Sequence, residues 1–160
     1  MLKRLLTAGS IFTLVALAGK ANAQTYKNGV GLRLDLGEGS TLVGPAFKHF
    51  FNPHSAGELS LLFGGNTTMV GLEYQYHGAI PNAGGLQWYA GAGASVGFFK
   101  VGPFKQTDFW LRPIVGLDYK IGATPLALGF DWRPMIRLTH TEGGGTFTAA
   151  RFGLAARYTF

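Results

Sequence analysis

The sequence predicts an all-β fold: an eight-stranded antiparallel up-and-down transmembrane β-barrel over residues 24–160, behind a cleaved N-terminal signal peptide at residues 1–23. Three observations carry this. The first 23 residues have the build of an export signal. After them, apolar and polar residues alternate with a period of two, and no apolar run is long enough for a membrane helix. Within the alternating segments the charged residues keep to one face and leave the other uncharged.

Lys3 and Arg4 form a basic start, Leu5 to Ala18 an apolar stretch with mild breaks, and Ala21-Asn22-Ala23 a small-x-small motif. Cleavage after Ala23 sets the mature start at Gln24. Of the 14 Lys+Arg, three (Lys3, Arg4 and Lys20) leave with the signal, so 11 remain against 8 Asp+Glu. The basic balance is thus partly a property of the precursor. No basic cluster with interleaved aromatics exists, so a nucleic-acid partner is not expected. With 25 glycines, 14% aromatics and only 14% charged residues, the composition falls well below the ~25% charge of soluble domains. It suits the alternating strands of a membrane barrel. The absence of cysteine excludes a disulfide framework, a thiolate metal site and a lipidated N-terminal Cys.

The eight predicted strands follow in order. The first is Gly29–Leu36, with Val30, Leu32, Leu34 and Leu36 opposed to Gly31, Arg33 and Asp35. The second is Leu42–Phe51, closed by the turn-like Asn52-Pro53-His54-Ser55. The third is Gly57–Phe63 and the fourth Thr68–His77, where Val70, Leu72, Tyr74 and Tyr76 oppose Gly71, Glu73 and Gln75. After a turn at Gly78–Gly85 comes the fifth, Leu86–Phe99, with Trp88, Ala90, Ala92, Ala94, Val96 and Phe98 on one face. Lys100–Thr107 is expected to be a loop, Phe109–Ile121 the sixth strand, Leu126–Leu138 the seventh and Thr148–Phe160 the eighth, after a Gly-rich loop at Thr139–Thr146.

The charged residues of these strands are Arg33, Asp35, Lys48, Glu58, Glu73, Arg112, Asp118, Lys120, Asp131, Arg133, Arg151 and Arg157. Each falls opposite the Leu/Val/Phe/Tyr face of its strand. Seven positive and five negative charges among many glycines can pair and fill the narrow interior of an eight-stranded barrel. The uncharged face then meets lipid, and the barrel is plugged rather than open. Aromatics mark the two rims. Phe51, Tyr74, Tyr76, Trp88, Tyr119, Tyr158 and Phe160 lie at the ends assigned to the periplasm, and Phe63, Phe98, Phe109 and Trp132 at the opposite ends.

From Phe160 backwards, Tyr158, Ala156, Leu154, Phe152 and Ala150 alternate with Thr159, Arg157, Ala155, Gly153 and Arg151. A final strand with Tyr158 and terminal Phe160 resembles the targeting signal that the barrel-assembly machinery reads in bacterial outer-membrane barrels. The segments Ala46–Asn52, Gly71–His77, Leu86–Gly91, Gly116–Lys120 and Phe130–Pro134 add to the likeness. With the signal and the last strand they cover nearly the whole chain. The sequence is similar to the small outer-membrane β-barrel proteins of Bacteroidetes-type bacteria, within the OmpA/OmpX-like porin-family group. The resemblance implies a Gram-negative outer-membrane location, contact with outer-membrane lipid and lipopolysaccharide, and insertion by the assembly machinery. It carries over no catalytic residue.

No constellation commits the chain to a chemistry, and no cofactor is expected. Gly91-x-Gly93-x-x-x-Gly97 has the wrong spacing for a dinucleotide loop and lies within a strand. His49, His54, His77 and His140 form no recognisable metal set. His140 and Glu142 share a loop suited to acid–base chemistry, but Ser60 and Ser95 are placed elsewhere, so a lipid A-modifying enzyme is the lesser reading. A narrow porin-like channel is another alternative. The favoured reading is a structural, envelope-integrity or interaction role. Lys100–Lys105, basic with an apolar tip, is the segment best suited to touch lipopolysaccharide phosphates or a partner.

Overall fold

A computed structural model describes residues 26–139 and 146–160. The proposed signal peptide with its cleavage site, and His140 and Glu142, lie outside the described residues. Ten strand segments follow one another: β1 (Asn28–Gly37), β2 (Leu42–Asn52), β3 (Ser55–Gly64), β4 (Thr67–Ala79), β5 (Leu86–Val101), β6 (Phe104–Lys120), β7 (Leu126–Trp132), β8 (Met135–Arg137), β9 (Phe147–Thr148) and β10 (Arg151–Thr159). β7 with β8, and β9 with β10, make up the seventh and eighth barrel strands. Each strand pairs antiparallel with its sequence neighbours, and β1 pairs with β10, so the sheet closes on itself and has no edge. Asn28 and Phe160 complete the seam with reciprocal backbone bonds of 2.8 and 3.0 Å.

Burial alternates residue by residue, and its sense is inverted relative to a soluble barrel. In β10, Arg151, Gly153, Ala155, Arg157 and Thr159 are buried, while Phe152, Leu154, Ala156 and Tyr158 are exposed. Leu72, near the middle of β4, is 64% exposed between the buried Gly71 and Glu73. Leu32 and Leu154 also face outward, and Arg33, Glu73 and Arg157 face the lumen.

Two regions depart from the sequence-based expectation. Lys100–Thr107 is not a loop. β5 and β6 stay paired as far as Val101↔Phe104 and form a hairpin closed only by Gly102-Pro103. Gly102 sits at φ +60°, the left-handed conformation that tight two-residue turns favour and that glycine adopts without steric cost. The seventh and eighth strands are also broken rather than continuous. Between the pairs Trp132↔Phe152 and Met135↔Thr148, Arg133 and Pro134 face Ala149, Ala150 and Arg151, a bulge with one extra residue. Pro134 has no N–H for the ladder there, and the neighbouring Arg133 N–H still donates to the Arg151 carbonyl at 3.0 Å.

Candidate functional site

The lumen is the one place where the described chain concentrates chemistry. Its buried charged residues are Arg33, Lys48, Arg112, Arg133, Arg151 and Arg157 on the positive side, and Asp35, Glu58, Glu73, Asp108, Asp118 and Asp131 on the negative. Six cations thus face six anions. The sequence reading differs by two residues. Lys120 is not in the lumen: at the end of β6 its ammonium donates to the carbonyls of Gly122 and Thr124. Asp108, assigned to no strand in the sequence, is buried because the longer β6 carries the inward alternation two residues further.

The charges form an alternating chain across the barrel. Lys48 Nζ and the Tyr26 hydroxyl donate to Asp118 Oδ2 at 2.6 and 2.8 Å. Arg157 lies 3.7 Å from the same oxygen and donates to Glu58 Oε2 at 2.5 Å. Glu58 also pairs with Arg33, which donates to Asp131 Oδ2 at 2.9 Å. Asp131 accepts from Tyr89 at 2.5 Å and pairs with Arg133, whose Nη1 donates to Glu73 Oε1 at 2.7 Å. Separately, Asp35 holds Arg112 and Arg151, the latter at 2.9 Å. Residues from β1, β2, β3, β4, β5, β6, β7 and β10 take part, so each of the eight strands is tied to another across the interior.

Close approach explains one glycine here. A Cβ on Gly153 would fall 2.7 Å from Arg133 Nε and 2.8 Å from Arg33 Nη1, and closer still to Asp131. The bare backbone of β10 lets three side chains of the network meet against it.

Two apolar clusters lie along the lumen. Leu42, Leu62, Met69, Trp110 and Met135, with Phe99 against them, pack toward the hairpin end. Tyr26, Phe50, Ala56 and Ala127 pack toward the end that carries both termini. The ionic chain is therefore enclosed between two hydrophobic layers. Next to the lower layer, His77 contacts Gln87 and Gln75 and stacks on Tyr89 at 5.0 Å. Beyond the upper layer, Asp108 accepts from Thr139 and Gln106 and lies 3.8 Å from Arg137. Sequence reasoning did not find these layers. Their members occupy polar-face positions of the alternation, a signal that was available at Leu62.

The remaining sequence candidates lie on the outside. Tyr76, Tyr119, Trp132, Tyr158 and Phe160 are exposed and Trp88 is half-buried. Tyr76 stacks on His54 and lies 6.0 Å from Trp88. Trp132 Nε1 donates to the Ala149 carbonyl at 2.7 Å, beside the bulge. Tyr158 and Phe160 are neighbours at 6.3 Å. His49 contacts the Asn28 side chain, and Ser60 and Ser95 are buried on the lumen face. Among the described residues, no three His, Asp or Glu side chains converge as a metal site.

No protein-family profile matches this chain, and no curated protein does. Solved structures share its fold. The N-terminal β-barrel domain of Pseudomonas aeruginosa OprF superposes with a TM-score of 0.64 at 18% identity, over 85% of this chain and 100% of that one. Neisserial surface protein A gives a TM-score of 0.51 at 16% identity, over 83% of this chain and 94% of that one. At such identities the likeness is one of fold: a closed eight-stranded antiparallel barrel.

Proposed function

We propose that this chain is an integral outer-membrane barrel with a structural, envelope-integrity or interaction role and a lumen closed to ions. One observation carries the reading: an outer wall of uncharged apolar side chains surrounds twelve buried charged residues. In water that wall would expose Leu32, Leu59, Leu72, Leu117, Leu128 and Phe130 together, far more apolar surface than a soluble monomer tolerates. Hydrocarbon removes the penalty, and a closed barrel leaves no backbone group unpaired there.

The segment 1–23 then serves export, with cleavage after Ala23, and Tyr158 and Phe160 serve recognition by the assembly machinery. The motifs quoted above favour a place among the Bacteroidetes-type porin-family barrels. A non-conducting role is supported by the enclosed ionic chain, which a passing ion would have to break while crossing two apolar layers. Heat-modifiable gel migration of outer-membrane fractions tests the location: a band that shifts on boiling is expected, and constant mobility refutes the proposal. Planar-bilayer recording of the refolded chain tests closure: silence is expected, and stepwise conductance refutes it.

A further inference from the structure

The β5–β6 hairpin carries a feature that barrel architecture alone does not require. Lys100 and Lys105 are directly opposite each other across the antiparallel pair, and both are exposed. By the two-residue alternation they share the outward face with Phe98 and Phe109, the aromatics of the upper rim. Like charges facing each other on a strand pair destabilise it. Nothing in the lumen compensates, because the pair points away from it.

Around the pair lies a depression of about 420 Å³. Phe63, Phe98 and Phe99 supply its apolar lining, and the rest includes Asn66, Thr68, Lys100, Lys105 and Thr107. It contains two cations, several neutral hydrogen-bond donors and no carboxylate. The geometry points to a binding site for a phosphorylated glycolipid of the outer leaflet: its phosphate lies between Lys100 and Lys105, and its acyl chains run down past Phe63 and Phe98. This inference rests on the proposed membrane location and deepens it.

Two arguments favour a lipid over a free anion. Lys100 stands two residues beyond Phe98, and Lys105, opposite it, four beyond Phe109, about 7 and about 14 Å along a strand, which is the headgroup level of a membrane whose boundary those aromatics mark. Phe63 and Phe98, side by side with Thr68 and Thr107, also lie two residues nearer the membrane than the lysines, so acyl chains and phosphate each meet a matching end. A phosphate between the ammonium groups turns their mutual repulsion into two charge-assisted contacts.

The test uses the full chain refolded into phospholipid vesicles doped with lipid A or with its dephosphorylated form. Bound lipid is counted by mass spectrometry after purification in mild detergent. Wild-type protein is expected to retain phosphorylated lipid A about 30-fold better than the dephosphorylated form, taking roughly a fivefold gain per lysine at an anionic surface. Lys100→Gln/Lys105→Gln should abolish the preference, and Lys100→Glu/Lys105→Glu should invert it. Lys27→Gln, at the opposite end of the barrel, should leave it intact. Equal retention by wild type and the double Gln variant overturns the proposal. Release by millimolar inorganic phosphate alone overturns the lipid assignment in favour of a free anion. Each variant is first checked for the heat-modifiable band, so a preference retained by the folded double Gln variant refutes this site without touching the barrel reading.

Discussion

Glu58 is the most informative single residue in the lumen. It joins Arg33 and Arg157, and both partners are buried. Replacing Glu58 by Gln keeps the shape and removes the charge. Arg33 then keeps Asp131 at 2.9 Å, while Arg157 is left with Asp118 at 3.7 Å. Removing one partner of a buried pair costs about 3–5 kcal/mol, because the other charge stays buried without compensation. With partial partners remaining, the expected loss is about 3 kcal/mol, at the lower end of that range. Removing both members is far milder, since a buried ion pair gains little over neutral groups of similar volume. Glu58→Gln/Arg157→Gln should therefore be more stable than the sum of its single variants by about 1–3 kcal/mol. Urea titration of the barrel in phospholipid vesicles, followed by tryptophan fluorescence and by the mobility of unboiled samples, measures all three variants. A Glu58→Gln loss below about 1 kcal/mol, additive with Arg157→Gln, is the behaviour of water-exposed pairs and would refute an enclosed network.

Three further perturbations probe the wall, the upper apolar layer and the packing. Leu72→Arg, near mid-height on the outer face, should cost about 2–4 kcal/mol in the same titration, whereas Phe104→Arg at the hairpin tip should cost at most about 1; equal costs would contradict the assigned membrane level. Trp110→Ala removes the largest side chain of the upper layer and should lower stability by about 3–5 kcal/mol; a loss under about 1 kcal/mol would mean that the layer is not packed. Gly153→Ala forces a Cβ against Arg133, Arg33 and Asp131 and should cost about 1–3 kcal/mol. Gly84→Ala, which meets nothing within 4 Å, should stay within about 0.5 kcal/mol, and a matching loss there would remove the steric explanation.

The inside–outside assignment was legible because a strand's side-chain period is two and the apolar outer wall carries no charge at the lumen-facing residues' neighbours. Arg33, Glu58, Glu73, Arg112, Asp118, Asp131, Arg133, Arg151 and Arg157 all stand in the lumen for that reason. Errors arose at strand ends. Lys120 follows the inward parity but reaches back to turn carbonyls, because at a rim a long side chain can leave the barrel. The sequence assigns Lys105 to a loop and Asp108 to no strand, because Gly102-Pro103 and the lysines look like a connector. A two-residue turn with a left-handed first position carries the strands several residues beyond that point.

The order of layers along the barrel was not legible, for a different reason. Period two assigns a face, but height in the lumen depends on the stagger between strands, which no local pattern encodes. Leu62 and Met69 are directly paired, but Leu42, Trp110 and Met135 come from other strands and meet them only once register is fixed. The same stagger brings Glu58 of β3, Arg33 of β1 and Arg157 of β10 to one level. A charge confined to one level of the lumen must be neutralised there, since no water column is available to spread the cost. The six-to-six balance is thus a condition on cross-strand pairing rather than on composition. A chain with the same residues and a two-residue slip between β1 and β10 would keep every face assignment, separate Arg157 from Glu58, and leave Glu58 with Arg33 alone and Arg157 with only its 3.7 Å contact to Asp118. Register in this barrel is therefore specified from inside, by the ion pairs, while the featureless apolar wall tolerates any even slip.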